Sequence, residues 1–138
     1  MAVKTSGSYK PARNEPYMNP KQKEFFRRKL MAWKDELLQD SSQTIRHLQE
    51  ETSAQPDLAD RASTETDRSI ELRTRDRERK LISKIDEALR RIDEGSYGYC
   101  AETGEPIGIA RLDARPIATL SLDAQERHER RERIHRDD

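Results

Sequence analysis

Four positions near the C-terminal end of the chain have the spacing of a small zinc module, but only one of them is a cysteine. Cys100 is followed after two residues by Thr103, and Ser121 is followed after two residues by Ala124, with seventeen residues between the two pairs. Two Cys-x2-Cys pairs arranged in this way would close a tetrahedral zinc site. Threonine, serine and alanine supply no thiolate, so the sequence predicts a metal-free turn in which Cys100 is a structural remnant. A reactive thiol is the alternative role for Cys100.

Histidines do not replace the missing thiolates. His128 and His135 are seven residues apart on a predicted helix, about two turns, which is a poor separation for chelating one ion. Because structural zinc contributes roughly 10–16 kcal/mol in small peptides, another interaction has to hold the module together. A small apolar core is expected to do so, with candidate members Tyr97, Tyr99, Ile107, Ile109, Leu112, Ile117, Leu120 and Leu122.

A second group of chemically active residues is acidic and lies in the segment PDLADRA. Asp57 and Asp60 belong to a stretch, residues 49–67, with six acidic side chains, one basic side chain and a net charge of −5. Such a pair can bind a divalent ion, face a basic partner, or belong to a solvated turn. No pocket-forming sequence surrounds the two carboxylates, so acid–base catalysis is not expected and the protein is not predicted to be an enzyme.

A basic run, RTRDRERK, follows from Arg73 to Lys80. Pairs at i and i+4 on a solvated helix explain part of this pattern. A basic band beside an acidic segment would also position the chain in a charged channel or near phosphates.

Composition indicates long exposed helices rather than a large core. Of the 138 residues, 32% are hydrophobic and 39% are charged, with a net charge of zero. Zero net charge argues against a general attraction to nucleic acid. One cysteine forms no internal disulfide, and neither an 18-residue apolar run nor a secretory signal is present, so a cytoplasmic location without membrane binding is expected.

Two helices are predicted before the module. The first begins at Asn19-Pro20, with Asn19 as N-cap, and ends near Thr52. The second is capped by Ser63 or Thr64 and ends at Gly95. Apolar positions of the first helix are Phe26, Leu30, Trp33, Leu37, Ile45 and Leu48; those of the second are Ile70, Leu72, Leu81, Ile82, Ile85, Leu89 and Ile92.

The two apolar patterns match if the helices fold back on each other as an antiparallel hairpin with its tip near Leu58. A residue i then faces a residue near 116 − i, which brings Ile45 to the neighbourhood of Ile70 and Leu72. The predicted fold is therefore mainly α: a long antiparallel coiled-coil hairpin, a small degenerate zinc-finger-like module and a C-terminal helix. The expected divisions are a flexible tail at 1–18, the hairpin at 19–95 with its tip at 53–63, the module at 96–124 and the helix at 125–138.

Three segments of the chain are, in order, the tip PDLADRA, the run ELRTRDRERKLISKI and the segment YGYCAETGEPIGIARLDARP. Together they closely resemble the DksA/TraR family of bacterial transcription factors. The resemblance covers about residues 15–127. The long first helix is similar to DksA-type members, and the cysteine usage is similar to the cysteine-poor, zinc-independent type.

The resemblance implies a function. Family members bind RNA polymerase rather than DNA, insert the coiled coil through the secondary channel and destabilise open complexes, above all at ribosomal RNA promoters. The alarmone ppGpp strengthens the effect as an effector at the polymerase interface. A monomer without a bound cofactor is implied for this chain.

The resemblance also implies roles for single residues. The coiled-coil tip corresponds to Asp57, Asp60 and Ala62, polymerase contacts along the arm to Arg73 and Arg77, and ppGpp contacts to Leu81, Lys84 and Arg115. A further family lysine corresponds here to Gln125, which removes one charge from the expected alarmone site.

Two alternatives remain at the level of the sequence. One is a transcript-cleavage cofactor of the Gre type, whose acidic tip holds a magnesium ion for the polymerase. The other is a coiled-coil adaptor with no relation to polymerase.

Overall fold

The chain forms four helices, seen in a computed structural model that describes residues 9–53 and 58–137. Within these ranges the side chains of residues 44, 48, 51–53, 58–64 and 136–137 are not described. In chain order the helices are α1 (Pro20–Ser53), α2 (Leu58–Glu94), α3 (Ile109–Ala114) and α4 (Leu122–Asp137). The described residues contain one isolated antiparallel bridge, between Tyr99 and Pro106. The predicted mainly α fold with a long helical hairpin is confirmed.

The ends of the two long helices follow local rules. The Asn19 side chain accepts a hydrogen bond from the backbone N–H of Gln22 (2.9 Å), which confirms the predicted N-cap of α1. After α2, Gly95 adopts a φ of 86° and the N–H of Ser96 donates to the carbonyl of Arg91 (3.0 Å). This is the Schellman pattern of a glycine stop, so the predicted end of α2 is also confirmed.

The start of α2 differs from the prediction. The helix begins at Leu58, five residues before Ser63, the earlier of the two predicted caps. Pro56 restricts only the residue before it, so it does not prevent a helix from starting two residues later. The break between α1 and α2 is therefore shorter than the predicted 53–63.

The chain divides into two compact units, Met31–Asp86 and the combination of Met1–Leu30 with Glu87–Asp138. In the first unit, α1 and α2 are antiparallel. Polar contacts between their described side chains include Lys34–Asp86 (2.7 Å), Ser41–Glu78 (2.7 Å) and His47–Glu71 (2.8 Å). The residue numbers of each pair add up to between 118 and 120, so the predicted register of 116 was wrong by two to four residues.

This register changes the environment of two predicted core residues. Glu71 is directed towards α1, and its neighbours Ile70 and Leu72 are turned away by about 100° on either side. Both are exposed, at 54% and 45%, so the prediction that they pack beside Ile45 was wrong.

The second unit contains the small module, whose core forms around aromatic and aliphatic side chains. Phe26 packs on Tyr97 with ring centroids 5.8 Å apart, and Leu112 is fully buried. Of the predicted module core, Tyr97, Ile107, Leu112 and Ile117 are buried, and Ile109 and Leu120 are partly buried.

Tyr99 and Leu122 were predicted in this core and are exposed instead. Gly98 has a φ of 90°, which turns the chain so that Tyr99 does not follow Tyr97 inward. Leu122 is the first residue of α4, which starts three residues earlier than the predicted 125.

The segment before α1 also differs from expectation. Residues 9–18, predicted as part of a flexible tail, are packed within this second unit: Met18 is buried, and the Tyr9 ring lies edge-on to Phe25. Residues 1–8 of the same predicted tail lie outside the described residues. In the part of the chain that the structure describes, no helix has the length and apolar character needed to cross a membrane.

Candidate functional site: a cysteine turn, a basic stripe and an acidic tip

The sulfur of Cys100 lies inside the module and is surrounded by hydrogen-bond donors. Only 3% of the surface of Cys100 is exposed. Burial by itself raises the pKa of the thiol. Hydrogen bonds from the Thr103 hydroxyl and from the backbone N–H groups of Ser121, Thr103 and Glu102 act in the opposite direction and lower the pKa to about 6.

The other three positions of the zinc-like spacing have their own structural roles. The Ser121 hydroxyl accepts a hydrogen bond from the N–H of Ala124 (3.3 Å) and so caps α4. The Thr103 hydroxyl oxygen accepts one from the N–H of Glu105 (3.3 Å) in the turn that follows Cys100. The methyl group of Ala124 is fully buried.

These residues do not fit a structural zinc ion. A closed zinc site takes four thiolate, imidazole or carboxylate ligands, whereas the four positions here supply one thiolate, two hydroxyls and a methyl group. The described residues contain no cluster of three or more histidine, cysteine or acidic side chains that could hold a metal. His128 is directed to Glu132 on its own helix (3.4 Å).

A tyrosine clasp joins the segment before α1 to two turns of the module. The Tyr17 hydroxyl donates to the carbonyl of Gly98 (2.6 Å) and accepts from the N–H of Gly108 (3.1 Å). The approach is close: a Cβ added to Gly98 would lie 3.0 Å from the Tyr17 oxygen and 3.1 Å from Met18. Burial raises the pKa of Tyr17, which keeps its proton available for donation. Sequence reasoning missed this residue because its partners are 81 and 91 residues away.

Tyr17→Phe is expected to lower the free energy of unfolding by about 1–3 kcal/mol. Loss of the hydroxyl takes away the donor to the Gly98 carbonyl and the acceptor of the Gly108 N–H. Thermal unfolding followed by near-ultraviolet circular dichroism measures the change. Tyr99→Phe is the matched control, since its hydroxyl makes no hydrogen bond to another described residue and its side chain is 38% exposed. Equal stability of the two variants would show that the clasp contributes nothing.

Four of the residues singled out in α2 form one face of that helix, which we call the basic stripe: Arg73, Arg77, Leu81 and Lys84. Their spacings of four, four and three residues place them on one side of a helix. Leu81 is partly buried and the three basic residues are exposed. Among the described residues, none of the ion pairs involves a member of the stripe; Arg73 only approaches the hydroxyl of Ser69 (3.5 Å).

The remaining predicted residues are distributed over the tip and the module. Asp60 lies in the first turn of α2 and Ala62 follows it on the same helix, whereas Asp57 lies outside the described residues. Arg115 is exposed at the C-cap of α3. Gln125, which stands where a family lysine was expected, donates to Glu129 one turn further along α4 (3.2 Å).

Comparison with known proteins assigns both the helical hairpin and the module to one family. Residues 22–92 match the model described as DnaK suppressor protein DksA, N-terminal domain. The chain belongs to the DksA family. Residues 95–130 match the model of the prokaryotic dksA/traR C4-type zinc finger, so the module retains the family pattern although three of the four cysteine positions are occupied by other residues.

Relatives in the DksA family match over nearly the whole chain. The RNA polymerase-binding transcription factor DksA of Caulobacter vibrioides is 68% identical over 130 residues, which cover 94% of this chain and 92% of the relative. The protein of the same name from Escherichia coli K12 is 43% identical over 133 residues, 96% of this chain and 88% of the relative. The solved structure of transcription factor DksA2 from Pseudomonas aeruginosa superposes with a TM-score of 0.80 at 45% identity, covering 85% of this chain and 90% of that one.

Proposed function

We propose that this protein binds bacterial RNA polymerase and regulates transcription initiation. The observation that supports this most strongly is the 68% identity, over 94% of the chain, to a relative named as an RNA polymerase-binding transcription factor. In finer detail, we propose that the hairpin enters the secondary channel, that the protein destabilises open complexes at ribosomal RNA promoters, and that it acts in the cytoplasm as a monomer without reading DNA sequence.

The charges of the hairpin indicate different roles for the basic stripe and the tip. The basic stripe is exposed and without intramolecular ion pairs among the described residues, so its cations are available to an acidic polymerase surface. Docking through Arg73 and Arg77 holds the arm in place. Asp57, Asp60 and Ala62 at the tip then act on the polymerase active centre as a perturbing group, with no catalytic role of their own.

The alarmone ppGpp is proposed to bind between this protein and the polymerase, with Lys84 and Arg115 as phosphate partners and Leu81 as an apolar neighbour. Arginine and lysine suit this task because charge-assisted hydrogen bonds to phosphate are strong. Gln125 supplies no charge, so we expect a smaller response to ppGpp than in a relative with a lysine at this position.

We also propose that the protein works without zinc. The support is the chemistry of the module: a single cysteine whose sulfur accepts hydrogen bonds from Thr103 and Ser121, and a buried methyl group at Ala124. The hydrogen bonds around Cys100, the apolar core around Tyr97 and the Tyr17 clasp take over the role of a metal in holding the module closed.

In vitro transcription from a ribosomal RNA promoter, with and without ppGpp, tests the proposal. The purified protein is expected to reduce transcript yield and to shorten the lifetime of open complexes, and ppGpp is expected to strengthen both effects. A parallel assay on backtracked elongation complexes separates the proposal from the Gre-type alternative. Stimulated transcript cleavage without any effect on open complexes would refute regulation of initiation, and failure to bind polymerase would favour an unrelated adaptor.

A further inference from the structure

A groove lies between the segment before α1 and helix α3, entirely within the unit that contains the module. Its main cavity has a volume of about 770 Å³ and is lined largely by apolar groups, including Ile107, Ile109 and Leu122. A second cavity of about 240 Å³ lies beside the first and shares Arg13, Ile109 and Ala110 with it as lining residues. The main cavity alone is within the range of small-molecule sites, about 300–1,000 Å³.

The charges in this groove do not balance. Three arginines, Arg13, Arg111 and Arg115, line the main cavity together with one acidic residue, Glu15. The second cavity adds Lys10 and Asp113, and Asp113 is already paired with Lys29. A carboxylate oxygen of Glu15 already accepts hydrogen bonds from Tyr9, Asn19 and Gln22, and the bond from Tyr9 is the main cause that lowers the pKa of Glu15. None of the ion pairs formed within the described ranges includes one of the three arginines.

Arg111 is the best placed of these arginines. Its side chain is half-buried, and its Nε donates to the carbonyl oxygen of Leu120 (3.0 Å). This bond fixes the guanidinium at the groove while its two terminal nitrogens have no acceptor among the described residues. A partly desolvated cation beside apolar walls is stabilised by an anion that binds there.

We propose that this groove binds a small organic anion, a molecule with an apolar or aromatic body and one carboxylate, sulfonate or phosphate group. The body packs on Ile107, Ile109 and Leu122, and the acidic group pairs with Arg111 and Arg13. The site needs only one of the two units and no polymerase, so it goes beyond the proposed regulation of initiation. Arg115 is common to the groove and the proposed ppGpp contact, and Arg111 also holds the Leu120 carbonyl. The test is therefore made on Arg13, in the free protein.

Fluorescence titration of the full chain with 1-anilinonaphthalene-8-sulfonate tests the site, with uncharged N-phenyl-1-naphthylamine as the matched probe. Saturable binding of the sulfonate at one site is expected, about tenfold tighter than binding of the uncharged probe. Arg13→Gln is expected to weaken sulfonate binding by about tenfold, the loss of one charge-assisted hydrogen bond, and to leave the uncharged probe unaffected.

Two further variants control for charge and for shape. Arg130→Gln removes the same charge from an exposed position on α4 and is expected to change sulfonate binding by less than about twofold, the size of a screened long-range effect. Ala110→Phe fills the groove at a position that lines both cavities and is expected to abolish binding of both probes, while the far-ultraviolet circular dichroism stays that of the wild type. Absence of saturable sulfonate binding, equal affinities of the two probes, or equal effects of Arg13→Gln and Arg130→Gln would each overturn the proposal.

Discussion

Asp60→Asn is expected to reduce inhibition of a ribosomal RNA promoter by at least about tenfold, while the affinity for polymerase changes by less than about twofold. Asparagine has almost the same shape as aspartate. In the first turn of α2, where Asp60 lies, the lost charge costs about 0.3–1 kcal/mol of favourable interaction with the helix dipole. The substitution therefore removes one negative charge from the tip and leaves α2 intact. The basic stripe, which we propose as a docking surface, is unchanged.

Two measurements on the same preparation separate the two roles. Transcript yield from the ribosomal promoter reports the action of the tip, and fluorescence anisotropy of the labelled factor reports binding to polymerase. Asp67→Asn is the matched control, because it removes the same charge from an exposed position about two turns further along α2 and is expected to retain inhibition. If Asp60→Asn lost binding and inhibition in parallel, the tip would be a docking element and the proposed mechanism would be wrong.

The triple variant Thr103→Cys, Ser121→Cys and Ala124→Cys is expected to bind one zinc ion per chain, unlike the wild type. The substitutions complete two Cys-x2-Cys pairs around a turn whose backbone N–H groups already point at the sulfur of Cys100. Loss of the Ser121 cap costs about 1 kcal/mol, far less than the roughly 10–16 kcal/mol that structural zinc contributes in peptides. Even about 3 kcal/mol of net gain would raise Tm by about 10 °C.

Elemental analysis and thermal unfolding with and without EDTA measure both parts of this expectation. The Tm of the triple variant is expected to fall when EDTA is added, whereas the Tm of the wild type is expected to stay constant. Thr103→Cys with Ser121→Cys, which keeps Ala124, serves as a control that lacks the fourth ligand and should bind zinc more weakly. Stoichiometric zinc in the purified wild type, or a wild-type Tm that falls with EDTA, would contradict the metal-free proposal.

Local sequence signals predicted the helical framework well because they act over one or two turns. Asn19 before Pro20 predicted the start of α1, and Gly95 predicted the end of α2. The register of the hairpin was less well defined by its sequence, because an apolar stripe with spacings of three and four tolerates small shifts. The observed pairs, such as His47 with Glu71, displace Ile70 and Leu72 from the expected interface.

Contacts between residues far apart in the chain could not be predicted from the sequence. Tyr17 carries no mark in the sequence that connects it to Gly98 and Gly108, and the groove arises only when the segment before α1 lies along α3. The low pKa of Cys100 likewise depends on the direction of N–H groups from Ser121, twenty-one residues away. No composition or spacing rule reports these orientations.

The amino-acid sequence by itself determined the family, the two long helices and the absence of cysteine at three of the four zinc-spaced positions. Each of these depends only on residue types and short spacings. Only the tertiary structure decided what the residues at these four positions do. Cys100 accepts hydrogen bonds, Ser121 caps α4 and Ala124 is buried, while the Tyr17 hydroxyl bonds to the turns at Gly98 and Gly108. The physical reason is that hydrogen bonds and packing depend on distances of a few ångströms, which chain folding sets between residues far apart in sequence.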